Sequence, residues 1–212
     1  MKIVVVSPAS DEPREHAVLA ELFNSGLERY HVRKPQWSRE RLFAWLNVVP
    51  AQWRSRLVLH QYHELAVEFG CGGMHFKDSE GRARPLGAPG ISAVPAGRPY
   101  LFTSRSCHDQ VTLDAALGHF DAVFLSPVFP SSSKPDYQPT IGYAAIAERL
   151  ARRTAAERRT EVIALGGITP SNATCCAELG FDGVALLGAL WQAAEPLKVF
   201  EQLQQPISVH AA

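Results

Sequence analysis

The chain has 212 residues, 21 Lys and Arg against 21 Asp and Glu, and an apolar fraction of 46%. This is the composition of a globular protein with a sizeable core. The balanced charge gives no basis for binding nucleic acid or an acidic membrane surface, and no apolar run approaches the roughly 18 residues of a membrane span.

The N-terminus and the cysteines indicate the compartment. The opening MKIVVVSPASDEP has too short an apolar run for a signal peptide, because Ser7 and Pro8 end it. The four cysteines lack a C-x-x-C spacing, so we expect reduced core residues rather than a disulfide framework or a zinc site. We therefore expect a cytoplasmic protein with one domain over residues 1–212. The oligomeric state stays open, a homo-oligomer included.

Short apolar segments alternate along the chain with amphipathic patterns. The strand candidates, in order, are 2–6, 30–33, 56–60, 72–76, 100–104, 121–125, 161–165 and 182–187. A helix is predicted over 39–49 from apolar residues at steps of three and four. Another is predicted over 170–179, with Thr169 as N-cap, Pro170 at the first position and Gly180 past the end. Residues 79–99 show little helical periodicity.

The alternation indicates the fold. Strands that are almost continuously apolar are typical of a parallel sheet covered by helices. Eight such units in 212 residues predict a compact (β/α)8 TIM barrel with an irregular fourth βα connection. A doubly wound sheet is the main rival, and the barrel is favoured because polar residues fall at the strand exits.

The exits carry most of the polar chemistry. In a barrel, the carboxyl ends of the strands converge on one face, where active sites are built. The residues expected on that face from the first five strands are His31, Arg33, His60, His75, Ser104 to Ser106 and His108.

The sixth exit is the sequence SPVFPSSSKPDYQPTIGY, residues 126–143. Its four prolines exclude helix and ladder, while Ser131, Ser133 and Lys134 offer donors to an anion. A solvated turn is the alternative interpretation.

The seventh and eighth exits run from an apolar strand through glycine into a helix start, at Gly166-Gly167 and at Gly188. These exits are the usual phosphate site of a TIM barrel, although the glycines could simply ease a tight turn. A second anion would need cations such as Arg33 and Lys134. The two sites together predict a diphosphate substrate and a monophosphate substrate.

Six motifs in order carry a resemblance to the thiamin phosphate synthase and TenI superfamily, a TIM-barrel group. They are HVRKP (31–35), LHQYHELAVEFGCGGMHF (59–76), SRSCH (104–108), the 126–143 loop with Gly142, ALGGITPSN (164–172) and GVALLG (183–188). The resemblance runs from about residue 30 to 191, which is most of the chain.

The resemblance implies a ligation. A synthase of this family takes hydroxymethylpyrimidine diphosphate, expels pyrophosphate, and lets the nitrogen of a thiazole phosphate capture the pyrimidinyl-methyl cation. It implies that His31 contacts the pyrimidine, Arg33 grips the pyrophosphate, and Ser106 lies near the departing oxygen. Such chemistry needs electrostatic stabilisation more than proton transfer.

The remaining roles follow from the same resemblance. Ser131, Ser133 and Lys134 would hold the leaving diphosphate and the thiazole phosphate region, and Gly142 matches the downstream glycine. Backbone N–H groups of Gly167, Leu187 and Gly188 would bind the thiazole phosphate. The exit histidines are assigned from their positions rather than from the resemblance: His60 is expected to be catalytic, and His75 and His108 to bind substrate. For each of them a structural role in satisfying loop backbone groups is the alternative.

The family's synthases hold Mg²⁺ with two aspartates. The corresponding positions here are Gln61 and Glu80, with Asp78 close by, and a neutral amide is a poorer ligand for a hard cation. Two alternatives to a synthase therefore stay open. One is a TenI-type thiazole tautomerase, which would need a histidine as general acid or base. The other is a non-catalytic binder of phosphorylated thiamin precursors.

Overall fold

A computed structural model describes residues 1–78, 101–130 and 138–205 of the chain. Eight parallel strands form a closed barrel in which each strand pairs with the next and the eighth pairs with the first. The predicted TIM barrel is confirmed. Glu80, Ser131, Ser133 and Lys134 lie outside the described residues, as does the fourth βα connection over 79–99.

The strands are short and almost entirely buried, as their apolar sequences predict. Their bounds are β1 Lys2–Val6, β2 Arg29–Val32, β3 Leu57–Leu59, β4 Gly73–Phe76, β5 Phe102–Cys107, β6 Ala122–Leu125, β7 Glu161–Ala164 and β8 Gly183–Leu186.

Helices follow most of the strands and cover the outside of the barrel. Their bounds are α1 Glu15–Asn24, α2 Arg39–Val48, α3 Ala51–Arg54, α4 His63–Phe69, α5 Gln110–Ala116, α6 Tyr143–Ala151, α7 Ala173–Glu178, α8 Gly188–Trp191 and α9 Pro196–Gln204. A 3₁₀ turn over Glu157–Arg159 precedes β7.

The alternation of side chains along each strand divides the core into two parts. The outward-facing residues pack against the helices in one large cluster that includes Leu19, Leu46 and Phe200. The inward-facing residues form a small cluster inside the barrel, made by Val4, Val6, Ala122, Phe124, Ile163 and Ala185. The inner cluster forms the floor beneath the carboxyl ends of the strands.

Two predicted boundaries are wrong. The strand predicted over 100–104 is β5, Phe102–Cys107, because Ser104 and Ser106 continue the ladder with β6. The helix predicted to begin at Pro170 begins at Ala173. The side chain of Asn172, rather than Thr169, organises the preceding turn by accepting from the Thr169 N–H at 2.9 Å and donating to the Gly167 carbonyl at 2.8 Å.

A buried ion pair fixes the segment that follows β2. Lys34 is fully buried, and its Nζ lies 2.5 Å from Oε2 of Glu15, while the hydroxyl of Tyr30 donates to Oε1 at 2.8 Å. Lys34 Nζ also donates to the Ser10 carbonyl at 3.2 Å. The pair therefore ties the loop after β1 to the residue next to Arg33.

All four cysteines are free, and three of them are buried, whereas Cys175 is partly exposed. Within the part of the chain that the structure describes, no helix is long and apolar enough to cross a membrane.

Candidate active site

A cavity of about 1250 Å³ opens at the carboxyl ends of the strands. Its walls bring together ten of the predicted site residues, namely Arg33, His60, Gln61, His75, Asp78, Ser106, His108, Gly167, Leu187 and Gly188. Phe124, Val6 and Ala185 of the inner core form part of its lining. The convergence of strand exits, which the sequence predicts, is thus realised in one concave site.

Two predicted substrate contacts stand apart from the residues that line this cavity. His31 is fully buried and packs with its ring centroid 4.7 Å from that of Phe124. Gly142 is the N-cap of α6, and a Cβ built there would meet nothing within 4 Å. The structure places His31 beneath the cavity and Gly142 at an open position at the start of α6.

Arg33 lies immediately after β2 and lines the cavity. Its backbone is clamped by Ser7, whose Oγ accepts from the Arg33 N–H at 2.8 Å and donates to the Arg33 carbonyl at 3.0 Å. Its guanidinium has no ion-pair partner among residues 1–78, 101–130 and 138–205. A positioned cation without a carboxylate partner is suited to bind an anionic ligand.

Three histidines from neighbouring strands meet at the floor of the cavity. His31 Nδ1 lies 3.1 Å from His60 Nε2, and the rings of His60 and His75 stack with centroids 4.0 Å apart and planes 19° apart. Burial is the main cause that lowers the pKa of all three, to about 3 for His75 and well below the usual value for His31 and His60. The cluster is therefore neutral near pH 7.

The serines of β5 complete this cluster. His75 Nδ1 lies 2.9 Å from Ser104 Oγ, and His75 Nε2 lies 2.8 Å from Ser106 Oγ. His108 is held differently, because its Nδ1 pairs with the Ser126 carbonyl at 2.8 Å. Ser104 is predicted as an exit residue but without a role, and Ser7 is not among the predicted site residues; the alternation of serines in FTSRSC is the signal that places Ser104 on the same face as Ser106.

The exit of β7 packs closely on the exit of β6. The N–H of Val128 donates to the Leu165 carbonyl at 2.9 Å, and the N–H of Phe129 donates to the Gly166 carbonyl at 3.1 Å. Gly167 has φ +64°, and a Cβ there would lie 2.5 Å from the Pro130 carbonyl oxygen. Tight packing and backbone conformation thus account for this glycine by themselves, and phosphate binding by its N–H stays a prediction.

The predicted magnesium ligands do not form a site among the described residues. The carboxylate of Asp78 is 2.9 Å from Nη2 of buried Arg105, and the amide of Gln61 donates to the Lys34 carbonyl at 2.7 Å. Glu80, the remaining predicted ligand, lies outside the described residues. Mg²⁺ prefers carboxylate and phosphate oxygens, and of the two described candidates Gln61 is a neutral amide while the Asp78 carboxylate is already held by Arg105, so these two side chains by themselves do not fit the ion.

The three-histidine cluster is the group of potential metal ligands in the described part of the chain. Its ligand atoms lie within 4.8 Å of one another. However, a histidine binds a metal in the plane of its ring, and nearly parallel rings stacked at 4.0 Å cannot both aim at one ion. In this arrangement the cluster is a hydrogen-bonded network rather than a metal centre.

Comparison with known proteins yields one consistent family. The family model described as "Thiamine monophosphate synthase" matches residues 3–190. The thiamine-phosphate synthase of Levilactobacillus brevis is 31% identical over 127 residues, which are 60% of this chain and 54% of that protein. The thiamine-phosphate synthase of Laribacter hongkongensis is 29% identical over 178 residues, 81% of this chain and 77% of that protein.

Solved structures of thiamine phosphate pyrophosphorylases have the same fold as this chain. The thiamine phosphate pyrophosphorylase from Bacteroides thetaiotaomicron superposes with a TM-score of 0.73 at 25% identity, covering 96% of both chains. The thiamine phosphate pyrophosphorylase from Pyrococcus furiosus has the same fold, with a TM-score of 0.71 at 19% identity.

Proposed function

The chain belongs to the thiamine monophosphate synthase family, and from that premise we propose that it joins hydroxymethylpyrimidine diphosphate to thiazole phosphate with release of pyrophosphate. The observation that carries this proposal is the cavity. It combines Arg33, a cation without an ion-pair partner among the described residues, with the glycine exits of β7 and β8 at the position where TIM barrels bind phosphate.

The chemistry matches the charges of the site. When the bond between the pyrimidinyl-methyl carbon and oxygen breaks, negative charge collects on the departing diphosphate. Ser7 holds the backbone of Arg33 at both its N–H and its carbonyl, which keeps the guanidinium within reach of that charge. The exits at Gly167, Leu187 and Gly188 would hold the thiazole phosphate in the same cavity.

The neutral histidines favour ligation over acid–base chemistry. Burial depresses the pKa of His60 and of His75, so neither is poised to exchange a proton near neutral pH. A tautomerase would need such a group. The named relatives are thiamine-phosphate synthases, which favours neither the tautomerase nor the non-catalytic binder.

The decisive assay supplies both phosphorylated substrates and Mg²⁺ to the purified protein, and follows pyrophosphate and thiamin phosphate. We expect the two products in equal amounts. Loss of product with EDTA would establish the magnesium requirement that the resemblance implies. Failure to form product while both substrates bind would exclude the synthase activity and leave the binder.

The serine-lysine loop is tested in the same assay. If Lys134 receives the leaving diphosphate, Lys134→Ala should lower turnover at least tenfold, equivalent to about 1.4 kcal/mol of transition-state stabilisation. Arg152→Ala removes a cation that is three-quarters exposed just after α6 and is the matched control. A Lys134→Ala protein with the kinetics of the control would remove this lysine from the mechanism.

The cellular location and assembly belong to the proposal as well. A biosynthetic role and four free cysteines are compatible with the cytoplasm, where thiols stay reduced. The partners proposed are small phosphorylated substrates.

A further inference from the structure

A continuous chain of three polar side chains leads from the barrel interior to the cavity. It runs from Ser104 through His75 to Ser106, with 2.9 Å and 2.8 Å between successive hydrogen-bonding atoms. Both serines lie on β5 two residues apart and so face the same side of the sheet. His75 is the direct neighbour of Ser104 in the register of β4 with β5.

His75 can have only one ring proton here. Burial lowers its pKa to about 3, so near pH 7 the ring is neutral, with one N–H and one bare nitrogen. Both nitrogens are engaged by serine hydroxyls. Consequently one serine must donate to the ring and the other must accept from it, and the direction of one bond determines the other.

The burial of the two serines decides the direction. Ser104 is fully buried, and its hydroxyl has no other hydrogen-bond partner among the described residues. If it accepted from His75, its own O–H would be left unpaired inside the protein, which is costly. Ser106 is half-buried and lines the cavity, so its proton can point towards solvent or a ligand instead of being left unpaired in the core.

We propose that Ser104 and His75 are positioning residues that turn the hydroxyl of Ser106 into a hydrogen-bond donor directed at the oxygens of a phosphorylated substrate. Ser104 O–H donates to Nδ1, Nε2–H donates to Ser106 Oγ, and Ser106 O–H is released to the ligand. No proton is transferred between these side chains. This inference deepens the proposed function and rests on it for the identity of the ligand.

The direction of the two hydrogen bonds of His75 can be measured in the protein without substrate. In the full chain with ¹⁵N-labelled histidine, long-range ¹⁵N–¹H correlation spectra at pH 7 distinguish the protonated ring nitrogen from the bare one. We expect His75, assigned by its loss in His75→Gln, to be protonated on Nε2 and bare on Nδ1. The opposite tautomer, or a charged ring, would overturn the proposal whether or not the protein is a synthase.

A double-mutant cycle tests the consequence for the reaction. Ser104→Ala should lower kcat by about two- to tenfold, the value of one hydrogen bond. Without Ser104 the His75 ring loses its preference for the tautomer protonated on Nε2, and the Ser106 hydroxyl then donates to the ring in part of the molecules. In a Ser106→Ala background the same change should have no further effect on kcat. Equal losses in both backgrounds would mean that Ser104 does not act through Ser106, and would overturn the proposal.

Cys107→Ala is the matched control for disturbing β5. Cys107 is fully buried on the same strand but packs in the outer core, away from His75. We expect its kcat to equal that of the unmodified protein. If the unmodified protein forms no product, the proposed function fails, and the tautomer of His75 alone decides whether the hydrogen-bond direction is as proposed.

Discussion

Replacing Lys34 by methionine should destabilise the protein strongly, because it leaves a carboxylate in the core without its cation. The side chains of Lys34 and Glu15 are 0% and 3% exposed, and their charged atoms are 2.5 Å apart. Methionine has nearly the shape of the lysine stem, so the change removes charge with little loss of packing. Burial already raises the pKa of Glu15 despite the bonds from Lys34 and Tyr30.

The magnitude follows from this burial. Breaking a buried pair by removing one partner costs roughly 3 to 5 kcal/mol. For a chain of 212 residues this corresponds to a fall in Tm of about 7 to 11 °C. Activity should fall with it, because the pair anchors the residue next to Arg33.

The loss should depend on pH. Without Lys34 the pKa of Glu15 rises further above its value of about 4.3 in the unfolded chain. A group whose pKa is raised by folding favours the folded state at low pH, and this contribution is lost as pH rises towards the folded-state pKa. In urea unfolding, the free energy of unfolding of Lys34→Met should therefore fall further below that of the unmodified protein at pH 7 than at pH 5.

The double variant Lys34→Met/Glu15→Gln is the control. Glutamine keeps an acceptor for the Tyr30 hydroxyl but carries no charge, so we expect it to recover much of the stability lost at pH 7. A single variant as stable as the unmodified protein at pH 7, or a double variant no more stable than the single one, would refute the reasoning.

Three further outcomes are expected. Gly167→Ala should destabilise the protein and lower activity, because the new Cβ meets the Pro130 carbonyl oxygen at 2.5 Å; Gly142→Ala, which meets nothing, should leave urea unfolding nearly unchanged. Arg33→Ala should lower kcat/KM by at least tenfold, about 1.4 kcal/mol, and an unchanged value would remove Arg33 from diphosphate binding. The unfolding free energy should fall as pH drops below about 6.5, because burial lowers the pKa of the buried histidines, that of His75 to about 3. His75→Gln should weaken this pH dependence in urea unfolding. A variant with the same pH dependence as the unmodified protein would contradict the prediction.

Sequence patterns are most informative for features that depend on neighbouring residues and on the order of the elements along the chain. The eight apolar segments predict every strand to within a few residues, because an apolar run bounded by turn residues has few other solutions in a parallel barrel. The exits then follow from topology, since parallel strands end on one face. For this reason the order of the elements is enough to assign Arg33, Ser106 and Gly188 to one site, and all three line the cavity.

Sequence patterns are least informative where the role of a side chain depends on residues that other strands place beside it. The segment Ser104 to Cys107 resembles a turn, yet its backbone continues the ladder with β6, and its serines hydrogen-bond to His75 inside the barrel. His31 is expected from the resemblance to touch substrate, and it lies beneath the cavity against Phe124.

By itself, the sequence determined the barrel, the face that carries the site and the cationic and glycine-rich character of its exits, because these follow from the order of elements along the chain. Only the tertiary structure decided which polar groups are paired. Arg33 is left without a carboxylate among the residues described, Asp78 forms an ion pair with Arg105, and the histidines of the cluster are neutral. The physical reason is that pairing and desolvation depend on distances between strands that are far apart in sequence, and no local pattern encodes those distances.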